Sequence, residues 1–177
     1  GSRNWETVCN YGNESSKAAA AGLAILQARN SFEDKSELTK KYIKQYLHDL
    51  AAHEVGHTLG LRHNFKASTV YTQAQLSDPA FVAQNGVVNT VMEYTPPNIA
   101  ADGKPQPNFF NTETGPWDSW VIEYGYKPID AKDPQGEKTE LDKIASRAAD
   151  PLLAYGTDED CFQNSSRAID PYVTQGD

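Results

Sequence analysis

The chain has 177 residues and carries 16 lysines and arginines against 24 aspartates and glutamates, a formal net charge of −8. This length suffices for one domain with a hydrophobic core, and we expect a single domain over residues 1–177. An acidic chain without basic clusters is poorly suited to nucleic acid or anionic membranes, and no apolar run reaches the length of a membrane span. We therefore expect neither a nucleic-acid partner nor a membrane span.

The N-terminal region predicts a helix but leaves the state of the cysteines open. Gly1-Ser2 is typical of a cloning remnant, so we expect the chain to be a piece of a longer protein. The two cysteines, Cys9 and Cys161, are far apart and either pair or remain free. An alanine-rich segment predicts a helix over about 16–30, with Ser15 or Ser16 as its N-cap.

A second, longer helix is predicted over about 37–59. Its apolar residues recur at spacings of three and four, which predicts one stripe buried against the core. By helical geometry, His53 and His57 lie roughly opposite Val55 and would face a cleft. His48 is five residues before His53, faces elsewhere, and is interpreted as an ordinary polar side chain. The stripe comprises Ile43, Leu47, Leu50, Ala51, Val55 and Leu59.

Residues 53–63 have the pattern His-Glu-x-x-His-x-x-Gly-x-x-His, which indicates a metal site. His53 and His57 are one helical turn apart on one face, so both imidazoles can reach one ion. Gly60 allows the backbone to leave the helix, and His63 can then return toward the same ion. Three neutral histidines with an open fourth position are typical of catalytic zinc. Glu54 can act as a general base on the zinc-bound water without being a ligand.

The stretch after the zinc motif combines short helices with irregular segments. A helix is predicted around 78–84, and the prolines at 96 and 97 force an extended exit from residues 87–94. Residues 96–116 are rich in turn formers, with Phe109 and Phe110 expected to anchor them in the core. A helix should start at Pro116 and end before Gly125, and another should span about 137–149. The acidic segment 155–161 is either a solvated loop or a calcium site.

The zinc motif resembles that of the metzincin clan of zinc metallopeptidases. Together with Met92-Glu93-Tyr94-Thr95-Pro96 and the segments 120–126 and 155–160, it is similar to the bacterial Met-zincin family. The resemblance implies that Met92, the chain's one methionine, forms the Met-turn beneath the zinc ligands. It also implies that Tyr94 is near the metal, where it can ligate zinc or steady the transition state. It further implies a secreted or cell-envelope location.

The resemblance also implies an α+β catalytic domain, in which a mixed sheet precedes the active-site helix and its edge strand pairs with substrate. The 52 residues before His53 are predicted to be mostly helical. We therefore expect a mainly α-helical piece of a metzincin-like domain, with an active-site helix, a Met-turn and little sheet.

The predicted function is that of a zinc-dependent metalloendopeptidase. In this hypothesis His53, His57 and His63 hold Zn²⁺, Glu54 is the general base, and Tyr94 assists. The expected partners are a protein or peptide substrate and other domains of a longer chain. Two alternatives remain open at this point: a zinc-binding module without turnover, and a zinc hydrolase of non-peptide amides.

Overall fold

A computed structural model describes residues 11–29, 35–158 and 160, and in this part of the chain the regular structure is entirely helical. Cys9 and Cys161 lie outside the described residues. The helices are α1 (Tyr11–Ala28), α2 (Lys35–Thr58), α3 (Gln73–Leu76), α4 (Pro79–Asn85), α5 (Pro116–Tyr126) and α6 (Pro134–Ala145), with short 3₁₀ segments at Ala67–Thr69, Ser146–Ala149 and Pro151–Leu153.

The predicted helices are present, but four of their ends differ from expectation, one of them the end of α6, which stops at Ala145 and not near residue 149. Helix α1 begins at Tyr11, so neither serine is its N-cap, and the Ser16 hydroxyl instead donates to the Asn13 carbonyl. Helix α5 continues through Gly125 to Tyr126. Helix α6 begins at Pro134, because the Asp133 side chain accepts a hydrogen bond from the backbone N–H of Gly136 and caps the helix earlier than predicted. Helix ends depend on such caps, which hydrophobic spacing alone does not locate.

The irregular segment after residue 96 is fastened to α2, as the two phenylalanines suggested. Phe109 and Phe110 are fully buried against Tyr42 of α2 and against α1. The Gln45 side chain accepts from the backbone N–H of Phe109 and donates to the side chain of Asn108. Because the buried Gln45 amide uses both its oxygen and its nitrogen in these hydrogen bonds, it holds the loop at one place along α2.

The predicted buried stripe of α2 is wrong for five of its six residues, since only Leu50 is partly buried and packs against a core cluster. Ile43, Leu47, Val55 and Leu59 are 47%, 54%, 55% and 42% exposed, and Ala51 is exposed as well. The face of α2 that packs inward is the one that carries the histidines, with residues again at spacings of three and four. Hydrophobic periodicity identifies the faces of a helix, but it does not show which of them the rest of the chain covers. The inward residues are Tyr42, Gln45, Asp49, His53 and Gly56.

Two further expectations concern sheet and membrane. No β-strand occurs among the residues that the structure describes, so the sheet of an α+β domain is not seen in this part of the chain. None of the described helices combines the length and the apolar character that crossing a bilayer requires.

Candidate metal centre

Three histidines converge where α2 ends. His53 and His63 are buried and His57 is partly buried, and one ring nitrogen of each lies within 4.8 Å of the others. Gly60 has φ = 83°, a conformation that glycine adopts without strain, and it turns the chain back after the helix. The backbone N–H of Leu61 then donates to the Gly56 carbonyl, which closes the helix end. The predicted swing of His63 toward the two helical histidines is therefore present.

Each of the three imidazoles has a partner for its Nδ1 atom. His53 Nδ1 lies 2.8 Å from the Val91 carbonyl oxygen, and His57 Nδ1 lies 3.0 Å from that of Leu61. His63 Nδ1 lies 3.0 Å from both carboxylate oxygens of Asp158. A carbonyl or carboxylate oxygen can only accept, so Nδ1 carries the proton in each ring. The lone pair is thus left on Nε2, the atom that would bind a metal.

The spacing of two of the Nε2 atoms fits a tetrahedral ion. His57 Nε2 and His63 Nε2 are 3.1 Å apart. With Zn–N distances of 2.0–2.1 Å, two ligand nitrogens at a tetrahedral angle are separated by about 3.3 Å. Two lone pairs at this distance repel unless a cation lies between them. The donor set and its spacing therefore suit Zn²⁺ with three nitrogen ligands.

Tyr94 lies beside the third histidine. Its hydroxyl is 3.0 Å from His63 Nε2, and its ring is buried between the rings of Tyr11 and Phe65. The Tyr11 ring is stacked on it at a centroid distance of 4.8 Å with 11° between the planes. The structure thus places the predicted tyrosine within hydrogen-bonding distance of one histidine of the cluster.

Glu54 and His48 occupy exposed positions on α2. Glu54 directly follows the buried His53 on α2 and is itself exposed to solvent. His48 is not part of the histidine cluster, in agreement with its interpretation as an ordinary polar residue. The role of Glu54 as general base stays a prediction.

The turn at residues 91–93 packs against α2 and contacts His53. Met92 is fully buried against Gly56 of α2, and the carbonyl of Val91 accepts from His53. The turn is held in place by the Asp118 carboxylate, which accepts from the Thr90 hydroxyl and from the backbone N–H of Val91. Burial raises the pKa of the Asp118 carboxyl, against the hydrogen bonds of Thr90, Gly115 and Val91 that lower it.

Two supporting pairs were missed by the sequence-based reasoning. Tyr11 lies with its ring 4.3 Å from that of His53, and its hydroxyl donates to the buried Asp49 carboxylate. Burial raises the pKa of Asp49 to about 7, although the Tyr11 hydrogen bond lowers it. Asp49 is four residues before His53, and this spacing was a usable signal for a carboxylate on the histidine face. Tyr11 had no such local signal, because it is 38 residues away from Asp49 in the sequence.

The second missed pair joins His63 to Asp158, which is 95 residues away. Asp158 belongs to the acidic segment that was expected to be a solvated loop or a calcium site. Burial raises the pKa of its carboxyl, whereas the hydrogen bond with His63 lowers it, and the pKa lies below its usual value.

A comparison with protein families agrees with this geometry. A family model described as Met-zincin matches residues 35–177, a range that contains the three histidines, Met92 and Asp158. Neither the curated proteins nor the solved structures include a match to the chain.

Proposed function

The chain belongs to the Met-zincin family, and on this premise we propose that it is a zinc-dependent metalloendopeptidase. The observation that carries the proposal is the convergence of His53, His57 and His63 with their Nδ1 protons already directed to acceptors. An arrangement in which each Nδ1 proton is directed to an acceptor, so that each Nε2 atom carries the ring's lone pair, is a prepared metal site.

The three histidines would hold the zinc ion and leave a fourth position open. Zinc bound in this way lowers the pKa of water to about 7 and polarises a carbonyl group. The carbonyl of Val91 and that of Leu61 keep the first two rings in the required tautomer. Because His53 is fully buried on the inward face of α2, access for a substrate is from the side of His57 and Glu54.

Glu54 is proposed as the general base. As the neighbour of a ligand on the helix, its carboxylate can accept the proton of the attacking water and deliver it to the leaving amine. The exposed position of Glu54 suits this role, because the group must meet both water and substrate. Tyr94 is proposed to donate its O–H to the oxygen that becomes negative during attack, since its hydroxyl lies 3.0 Å from a ligand nitrogen.

Met92 is proposed as the methionine of a Met-turn. Its burial against Gly56, in the turn that supports His53, supports this assignment. The α+β architecture, the secreted or cell-envelope location and the partner domains of a longer chain are proposals of the same kind. The exposed apolar side chains of α2 are consistent with a larger domain that covers them.

A second candidate function is a zinc-binding module without turnover. The observation that favours it is the lack of a β-strand among residues 11–29, 35–158 and 160. Extended peptides commonly bind by adding a strand to an exposed sheet edge. This part of the chain offers no such edge, so zinc binding and peptide binding could reside in different segments of a longer protein.

Zinc content and peptidase activity, measured together, separate the two functions. The test compares this chain with one extended toward the N-terminus, using matched amounts of zinc-loaded protein and a quenched peptide or casein. For the peptidase we expect zinc in both chains, feeble cleavage by the shorter one and robust cleavage by the longer one. Inactivity of the longer chain with zinc bound would favour the zinc-binding module. Lack of zinc in both chains would contradict the peptidase and the zinc-binding module alike.

A further inference from the structure

The three ligand histidines differ in what accepts their Nδ1 proton. His53 and His57 donate to neutral backbone carbonyls, whereas His63 donates to the carboxylate of Asp158, with both oxygens at 3.0 Å. We propose that Asp158 is a positioning residue for the third ligand, which fixes the tautomer and orientation of His63 and strengthens its Nε2 as a zinc donor. This inference rests on the proposed function, because it requires the zinc centre.

The position of Asp158 is determined by contacts with the loop that carries His63. The Asn64 side chain donates to the Ala154 carbonyl and accepts from the backbone N–H of Gly156. The backbone N–H of Phe65 donates to the Gly156 carbonyl. Asn64 is fully buried, so these hydrogen bonds are shielded from water. The segment that ends in Asp158 is thus fastened to the two residues that follow the ligand.

The surroundings of Asp158 differ from those of a solvated acidic loop. Its side chain is 17% exposed and that of His63 is 6% exposed. The neighbouring acid Asp160 serves the segment itself, since its carboxylate accepts from the backbone N–H of Thr157. Asp158 also accepts from the Thr157 hydroxyl, at 3.3 Å. The Asp158 carboxylate is therefore committed to His63 and Thr157, within a segment that Asp160 braces.

A carboxylate acceptor changes the imidazole more than a carbonyl does. Its negative charge draws on the Nδ1 proton and increases the electron density at Nε2, which makes the ring a better ligand. The negative charge of the carboxylate also offsets part of the +2 charge of the ion, whereas the three neutral histidines contribute no charge. Loss of such a partner typically weakens metal affinity by about 10–100-fold.

A graded set of substitutions tests the role of the charge. Asp158→Asn keeps the size and the acceptor oxygen but removes the charge, Asp158→Ala removes both, and Asp158→Glu keeps the charge. Asp160→Asn is the matched control in the same segment, because it removes a charge but keeps an oxygen that can accept from the backbone N–H of Thr157. The measurements are zinc affinity by competition with a chelator and the unfolding temperature of the zinc-free protein.

We expect Asp158→Asn to weaken zinc binding by about 10-fold, Asp158→Ala by up to about 100-fold, and Asp158→Glu by less than Asp158→Ala. Asp160→Asn should bind zinc like the wild type, and the zinc-free unfolding temperature of Asp158→Asn should be unchanged. Wild-type affinity in Asp158→Asn, or an equal loss in Asp160→Asn, would overturn the inference. A wild-type chain that binds no zinc would contradict the inference and the proposed function together. A chain that binds zinc in this pattern but cleaves no peptide would contradict only the proposed function.

Discussion

The sulfur atom of Met92 occupies the space that a β-carbon on Gly56 would need, since the two would be 2.3 Å apart. Glycine at this point of α2 is therefore required by packing, because the backbone φ of Gly56 is not in the left-handed region. The contact joins the C-terminal end of α2 to the turn whose Val91 carbonyl accepts from His53. A substitution at Gly56 would therefore displace Met92 and, with it, the neighbouring Val91 carbonyl that accepts from His53.

Replacing Gly56 with alanine should destabilise the protein. Alanine in a helix is favoured over glycine by about 0.5–1 kcal/mol, but overpacking a full core costs about 1–3 kcal/mol, so the clash should prevail. Gly125→Ala is the control, because it lies within α5 and a β-carbon there meets nothing within 4 Å. Chemical denaturation should show a loss for Gly56→Ala and a gain for Gly125→Ala. A gain for both would show that Met92 moves aside at little cost.

The identity of the third zinc ligand can be tested against a nearby histidine. His63→Ala should lose the bound zinc, and so should His53→Ala and His57→Ala, because their nitrogens form the cluster. His48→Ala is the matched control, since His48 is exposed on the same helix and lies outside the cluster. Zinc content after purification is the measurement. Loss of zinc in His48→Ala with retention in His63→Ala would show that the third ligand is wrongly assigned.

The exposed face of α2 makes a prediction about stability. Leu47→Ala should cost less than about 1 kcal/mol of unfolding free energy, because surface substitutions have small effects. Leu26→Ala removes a side chain that is 4% exposed in the core between α1 and α2, and it should cost about 2–5 kcal/mol. Chemical denaturation of the two variants gives the comparison. Equal costs would indicate that Leu47 is covered in solution.

Asp49 should make stability depend on pH. Its pKa in the folded protein is about 7, above the ordinary value of 3.8, so between these values the folded state holds more protons than the unfolded state. Stability then falls as pH rises through this window. Asp49→Asn lacks the ionisable group and should gain on the wild type by at most about 4 kcal/mol between pH 4 and pH 8. Denaturation of both zinc-free proteins over this range tests it, and a constant difference would contradict it.

The parts of the site that were predictable from the sequence are those with local spacing. His53 and His57 follow from helical periodicity, and the return of His63 follows from Gly60, whose positive φ the structure contains. Burial of Phe109 and Phe110 also follows from their apolar character within a polar segment.

What could not be predicted depends on long-range packing. The apolar residues of α2 recur at helical spacing, but nothing in that spacing shows that the described chain leaves Leu47 and Val55 exposed. The pairing of His63 with Asp158 bridges 95 residues, and that of Tyr11 with Asp49 bridges 38. The tertiary fold brings such residues together. A local sequence pattern can therefore identify the acidic residue but not the residue with which it pairs.

The most direct test of the proposed mechanism is Glu54→Gln. Glutamine keeps the size and hydrogen bonding of the side chain but cannot take the proton from water. Zinc content and peptide cleavage are measured for wild type and variant in each chain that shows activity. We predict unchanged zinc and a loss of cleavage of about 10²–10⁴-fold. Wild-type turnover in a zinc-loaded Glu54→Gln protein would contradict the assignment of Glu54 as the general base.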